Sequence, residues 1–327
     1  MKKILVTGAD GLLGSNLVRE LLDRGHQVRA FIQSGRKVNT LDGLPIEKFE
    51  GDLLCPDSIK TALFGCSHVI HAAANTSMWP ARDELVRRVN ILGTKNISAC
   101  ALEAKVERMI FVGTASSYGF GTKENPGHEG NPYLAHKYKL DYLDSKYEAH
   151  QIVLDSVKKG LNAIVVNPTF MIGPFDSKPS AGAMLIALYK KKIIGFTEGG
   201  RNFISVKDVA VAIANGLTMG RSGQGYILGN TNLSYQEAFA LMGKVMEKRP
   251  PQRRIPSWAL LLLGFLVSTK AKLMRNQPYI SFSIAKVALD GHYFTPEKAI
   301  EELNLPQTSL EVAVRESFDW FKTNNYL

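Results

Sequence analysis

Apolar positions along the chain fall into short β-branched runs separated by longer stretches of helical period. The runs at 4–7, 26–33, 46–50, 68–73, 109–113 and 163–167 read as strands, and those at 15–23, 57–63, 84–104 and 141–159 as the helices between them. Strands that are apolar throughout, rather than alternating, are those of a sheet covered on both faces. Strict strand–helix alternation therefore predicts an α/β fold built on a doubly wound parallel sheet, with ligands gathered at the carboxyl ends of its strands. After Gly173-Pro174 the alternation loosens into loops and shorter helices. This predicts a large domain over 1–174 and a smaller, interleaved C-terminal lobe over most of 175–327. The run at 203–217 looks like a strand entering a helix, so the chain is expected to return to the large domain around 201–230.

The first strand breaks into three glycines, Gly8, Gly11 and Gly14, directly before the first helix. Gly8 permits a tight turn, Gly11 lets backbone N–H groups approach a pyrophosphate, and Gly14 lets the helix pack close to the strand. The first helical amides, at Leu12 and Leu13, would face the phosphates. Since the strands on either side complete a βαβ unit of about 30 residues, the turn is read as a dinucleotide site. An acid near the end of the second strand would bond the ribose of NAD. Ile32, Gln33 and Ser34 stand there instead, no Asp or Glu occurs at 24–41, and Arg36 and Lys37 are positioned to meet a 2′-phosphate. NADP is therefore expected over NAD. Asp52, beside Leu53 after the third strand, is either an adenine contact or a turn aspartate. Ala72, Ala73 and Ala74 close the fourth strand with side chains small enough for a cofactor to lie against.

The 327 residues are 45% hydrophobic and 21% charged, as in an ordinary globular protein. Three cysteines without paired spacing argue against a disulfide framework or a metal site and for a reducing, cytoplasmic setting. The N-terminal apolar stretch is too short for a signal peptide. The longest unbroken apolar run, 258–267, falls short of the roughly 18–20 residues of a membrane span, so no integral membrane segment is expected. The net charge of +10 is largely local, because residues 249–289 contain seven Lys and Arg and no Asp or Glu. No nucleic-acid partner is inferred from it. The basic, apolar stretch at 258–275 reads either as a buried helix of the small lobe or as a surface resting on anionic lipid.

Two strings space a tyrosine and a lysine four apart, YLAHK at 133–137 and YLDSK at 142–146. On a helix, either pair projects from one face, where an ammonium favours the phenolate form of its neighbour. Spacing alone does not choose between them.

The chain resembles the extended short-chain dehydrogenase/reductase family, in its epimerase/dehydratase and dihydroflavonol-reductase-like branch. The resemblance is carried by TGADGLLG at 7–14, GDL at 51–53, HAAA at 71–74, VNILGTKNI at 89–97, TASSYG at 114–119, YLDSK, VNPTFMIGP at 166–174 and RNFISVKDVA at 201–210. It implies that the Tyr-x-x-x-Lys helix leads, after one helix length, into a strand ending in Asn-Pro. That selects Tyr142 and Lys146, and places Asn167 and Pro168 at the cofactor. It further implies that Thr114, or Ser116, polarises the substrate oxygen, that Tyr142 exchanges the proton of a hydride transfer, and that Asn90 supports Lys146. A small-molecule substrate and a homodimer paired through its long helices are expected. Two activities stay open: a reductase acting on a lipophilic carbonyl, and a nucleotide-sugar epimerase or dehydratase that keeps NAD bound. Against the second, Asn202 replaces the acid of an Arg-Asp-Phe step, and Ala115 and Ser116 stand beside Thr114 where a dehydratase carries a further acid. A non-catalytic NADP-binding module is a lesser alternative. Met78, Trp79, Phe170, Met171 and Phe175 are candidate pocket walls.

Overall fold

A computed structural model describes residues 2–36 and 38–327. Its strands are β1 (Lys3–Thr7), β2 (Gln27–Gln33), β3 (Glu47–Gly51), β4 (His68–His71), β5 (Arg108–Val112), β6 (Ala163–Pro168), β7 (Phe170–Ile172), β8 (Gly200–Ser205), β9 (Gly225–Leu228), β10 (Thr231–Ser234) and β11 (Gly291–His292). Seven of them form a parallel sheet in the order β3-β2-β1-β4-β5-β6-β9. Alternate side chains of each strand enter different cores: Ile4, Val6, Ile70, Ile110, Ile164 and Val166 pack on one face, and Leu5, Val69, Met109, Phe111 and Val165 on the other. Burial on both faces is the physical reason these strands read as continuous apolar runs.

Strand order reverses between β1 and β4, and a crevice opens at such a switch point beyond the carboxyl ends. Between β4 and β5 the chain crosses in a helix that is not regular. An α-turn at Glu84–Arg87 widens into a π-turn over Arg88–Leu92 before α-geometry resumes at Gly93–Glu103. Nothing in the apolar spacing announces this widening, which places Asn90 inward.

The second sheet is centred on β8, with β10 antiparallel on one side and β7 and β11 parallel on the other. After β8 the helix Val206–Asn215 packs against the helix Leu12–Asp23 under the large sheet, and β9 then pairs with β6. A further return is not visible in the sequence: Ala299, Leu303 and Leu305 also join the core of the large sheet.

Candidate active site

At Gly8 the backbone takes φ +70°, and a Cβ there would lie 2.6 Å from Ala73 N. A Cβ at Gly14 would overlap Gly8 O, whereas one at Gly11 would meet only that oxygen, at 3.5 Å. The turn is thus closed against the fourth-strand loop and the helix but open at Gly11. The helix it starts has no side chain capping its N-terminus, leaving the amides of Leu12 and Leu13 to find an acceptor from outside. Unpaired N–H groups at a helix start in an open cradle fit a pyrophosphate.

A buried chain of polar groups fixes the opposite wall. Ala73 N–H donates to Thr7 Oγ1 (3.1 Å), which lies 2.7 Å from His71 Nδ1, and His71 Nε2 lies 3.1 Å from Thr94 Oγ1, which donates to Asn90 O (2.6 Å). With the Thr94 proton committed to a carbonyl, His71 must donate from Nε2 and accept at Nδ1, so the neutral ring fits the chain. Burial, reinforced by the charge of Lys146, pushes the His71 pKa down to about 3. Asn90 holds the loop after Ala74 at both ends of its amide, accepting from Asn75 N (2.8 Å) and donating to Asn75 O (3.0 Å), and it also donates to Ser145 Oγ (2.9 Å). It reaches the helix one residue before Lys146.

Arg36 lies 3.3 Å from Asp10, an acid inside the glycine turn itself. Lys178 approaches the same carboxylate at 3.7 Å. Asp10 did not figure among the expected cofactor residues. Only the contact across the βαβ unit reveals it. Gln33 is exposed at the end of β2, and Lys37 lies outside the described residues. Asp52 acts as a turn residue, its Oδ1 accepting from Leu54 N (2.9 Å). Leu53 is buried under Gly93 and anchored through its carbonyl to Asn96 Nδ2 (2.9 Å).

Tyr142 and Lys146 stand one turn apart at the start of the helix Asp141–Lys158. That helix has no side-chain N-cap of its own. Asp141, buried, instead accepts from Asp83 N (2.7 Å) and Arg82 Nη1 (2.7 Å), tying the helix start to the crossover loop. Lys146 is buried, donates to Val112 O (2.6 Å), and lies 4.5 Å from the centre of the Phe111 ring. Burial lowers its pKa to about 7 and raises that of Tyr142. In the other string, Tyr133 donates to Asp144 (2.7 Å) and stacks on Tyr147, while Lys137 pairs with Asp290 (2.9 Å).

A cavity of about 170 Å³ brings Tyr142, Thr114, Ser116 and Pro168 together with Arg201 and His292. Its walls include Met78, Ala115, Leu140, Leu143, Phe170, Val287 and Phe294. Of the expected wall residues, Met78 and Phe170 line this cavity. Met171 packs on the core, Phe175 sits against Trp320 with Arg19 at 3.7 Å over its ring, and Trp79 is not among the lining side chains. Thr114 Oγ1 accepts only a long bond from Ser116 N (3.4 Å). Alternation along β6 sends Pro168 to the cavity and Asn167 the other way, where its amide is buried against Gly113 and beneath Tyr118. Any contact of Asn167 with a cofactor would therefore come from its backbone. Arg201 donates to Tyr235 Oη (2.9 Å), and Asn202 is an internal tie that accepts from Thr169 Oγ1 (2.8 Å) and donates to Asn232 (2.8 Å). His292 arrives through the pairing of β11 with β8, which sets it opposite Arg201. No local motif marks it, since the two are 91 residues apart.

Residues 4–229 match the NAD dependent epimerase/dehydratase family. The chain is 33% identical to a putative dihydroflavonol 4-reductase of Synechocystis sp., over 98% of this chain and 95% of that one. It is 28% identical to sterol demethylase protein B of Methylococcus capsulatus, over 97% and 98% respectively. The crystal structure of gox2253 superposes with a TM-score of 0.87 at 29% identity, covering the whole of both chains. The chain belongs to the NAD dependent epimerase/dehydratase family and is an NAD(P)-dependent oxidoreductase of the extended short-chain dehydrogenase/reductase type.

Proposed function

We propose that this protein reduces a ketone or aldehyde, or oxidises the corresponding alcohol, on a small lipophilic molecule, with NADP as co-substrate. The observation that carries this reading is the cavity, in which a phenol and a threonine hydroxyl share a space walled mainly by apolar side chains. The names of the reductase and sterol-enzyme relatives support it.

The cofactor fits the chain's own features. Gly8, Gly11, Gly14, Leu12 and Leu13 would hold the pyrophosphate, Ala72 to Ala74 would line its path, Arg36 would meet a 2′-phosphate, and Tyr142 and Lys146 would flank the nicotinamide ribose. When bound, the nicotinamide supplies or accepts the hydride. The protein's residues manage the proton. Burial keeps the Tyr142 phenol protonated, the form that can give a proton to an alkoxide as a carbonyl is reduced. A protonated Lys146 one turn away stabilises the phenolate left behind, and Thr114 donates to the substrate oxygen. Asn90 positions the loop and the helix that carry these groups rather than touching the substrate.

Arg201 favours a second reading. It is a cation in the cavity wall, and a nucleotide-sugar diphosphate would seek it. The two readings separate on one purified sample. After extensive dialysis, an exchanging site that consumes NADPH faster than NADH with lipophilic ketones fits the reductase. Stoichiometrically retained NAD, with sugar nucleotides interconverted and no net coenzyme consumption, overturns it. Arg36→Ala is expected to cut the preference for NADPH over NADH about tenfold, the size of one charged hydrogen bond. An unchanged ratio would remove Arg36 from the phosphate site.

A further inference from the structure

The segment expected to be either a buried helix or a lipid contact forms a helix, Ser257–Met274, that buries only one narrow stripe. Leu260, Gly264, Ser268 and Ala271 are buried along this stripe, which meets the helix Phe282–Val287 where Gly264 lies close against Ala285. The opposite side carries Trp258, Leu262, Phe265, Leu266 and Leu273, between 50% and 82% exposed, and Met274 and Tyr279 follow at 59% and 79%. By length and mean hydropathy, 1.3 over 18 residues, this helix is long and apolar enough to cross a membrane. The unbroken-run criterion missed this because Ser268, Thr269, Lys270 and Lys272 interrupt the run without lowering the average enough.

The packing argues against a span. Phe196 N and O pair with Arg253 O and Ile255 N just before the helix, and Ser268 Oγ, midway along it, accepts from Phe282 N (2.8 Å). Crossing a bilayer would tear both attachments away. At about 100° per residue, the exposed apolar side chains fall on one face, with Lys270 and Lys272 about 80° to either side of its centre. That is the arrangement of a helix lying flat, with lysines at the rim where their stems reach headgroups. Arg253 and Arg275 extend the positive rim past both ends, and no acid occurs at 249–289 to oppose an anionic surface. Pairing with a second copy through the same face would bring these cations toward one another.

We propose that this helix docks the protein on anionic phospholipid bilayers, lying in the interface with its Trp258–Leu273 face inserted. The cavity and the bilayer would then share one wall, because Val287 at the end of the supporting helix lines the cavity beside Tyr142. This last point rests on the lipophilic-substrate reading. The docking itself does not.

The test is flotation of the full-length protein with phosphatidylcholine vesicles, with and without phosphatidylglycerol. The expected result is flotation with the anionic vesicles, weakened by salt, and a blue shift of tryptophan emission that Trp258→Phe abolishes. Phe265→Glu/Leu266→Glu and Lys270→Glu/Lys272→Glu should each reduce binding about tenfold or more, while NADPH binding and thermal unfolding stay unchanged. The second pair keeps the test valid if the first misfolds. Failure to float, equal binding to pure phosphatidylcholine, or sedimentation as a dimer that both charge-introducing pairs dissociate without any effect of lipid would each overturn the proposal.

Discussion

Two tyrosine–lysine strings nine residues apart have identical spacing and opposite surroundings. Tyr133 and Lys137 lie around a short turn at the surface, each satisfied by an acid, Asp144 and Asp290. Tyr142 and Lys146 lie on the inner face of a long helix, where, among the described residues, Lys146 meets a carbonyl and an aromatic ring rather than an acid. The chemistry open to such a pair is set by what it lacks as much as by its spacing. A phenol already bonded to a carboxylate, as Tyr133 is to Asp144, is held as a donor to that acid, and burial together with this bond drives its pKa up. A phenol open to a cavity can give its proton to a substrate.

The largest expected effect separates the strings by turnover. Tyr142→Phe should lower it by about 10²–10⁴-fold, the usual worth of a positioned general acid, and leave NADPH affinity within about twofold. Tyr133→Phe should retain most of the rate. Near-normal turnover in Tyr142→Phe, or collapse in Tyr133→Phe, would reverse the assignment.

A second effect is on stability without cofactor. Lys146 titrates near 7 in the folded protein against 10.5 for the free side chain, so between those values the unfolded chain binds the extra proton and stability rises with pH. At about 1.4 kcal/mol per pKa unit, Lys146→Met should stabilise the cofactor-free protein by a few kcal/mol at pH 7 and flatten that rise. Lys137→Met, which loses a half-exposed ion pair, should change stability by less than about 1 kcal/mol. Denaturant unfolding at pH 7 and pH 10 reads both. An unaltered slope in Lys146→Met would mean that the lysine is not dry.

The smallest contrast concerns histidines. His150, buried one turn beyond Lys146, is pushed down to about 4 by burial and by the Lys146 charge. Its neutral form contributes stability that is complete above the ordinary value of 6.5 and is lost as pH falls toward 4. His150→Gln should therefore make acid unfolding shallower over that range, by up to about 3 kcal/mol at its end. His136→Gln, an exchange at an exposed turn beside Tyr133, should change overall stability by less than about 0.5 kcal/mol.

Much of the large sheet was legible along the chain. Most of six strands emerge from apolar runs because a strand covered on both faces has few polar positions to blur it, whereas β3, at the sheet edge, exposes Glu47, Lys48 and Glu50 and is marked only by Ile46 and Phe49. The glycine turn was legible because Gly14 answers a local steric demand from Gly8 and Ala9 within one βαβ unit, and Gly8 takes a positive φ that favours glycine whatever packs on it. The small lobe resisted. Arg201, His292, Phe294 and Val287 meet in the cavity from segments up to 93 residues apart, and the salt bridge of Asp10 with Arg36 and the Asp141 clamp also span elements.

By itself the sequence determined the layered α/β architecture, the dinucleotide turn and a shortlist for the chemistry, because these depend on periodicity, on glycine conformational freedom and on spacing within one element. Only packing between distant segments brought Tyr142, Thr114, Arg201 and His292 into one cavity, set Asp10 against Arg36, and left the apolar face of the helix Ser257–Met274 bare. Exposure and charge compensation are properties of what packs alongside, and no residue carries that information in its own identity.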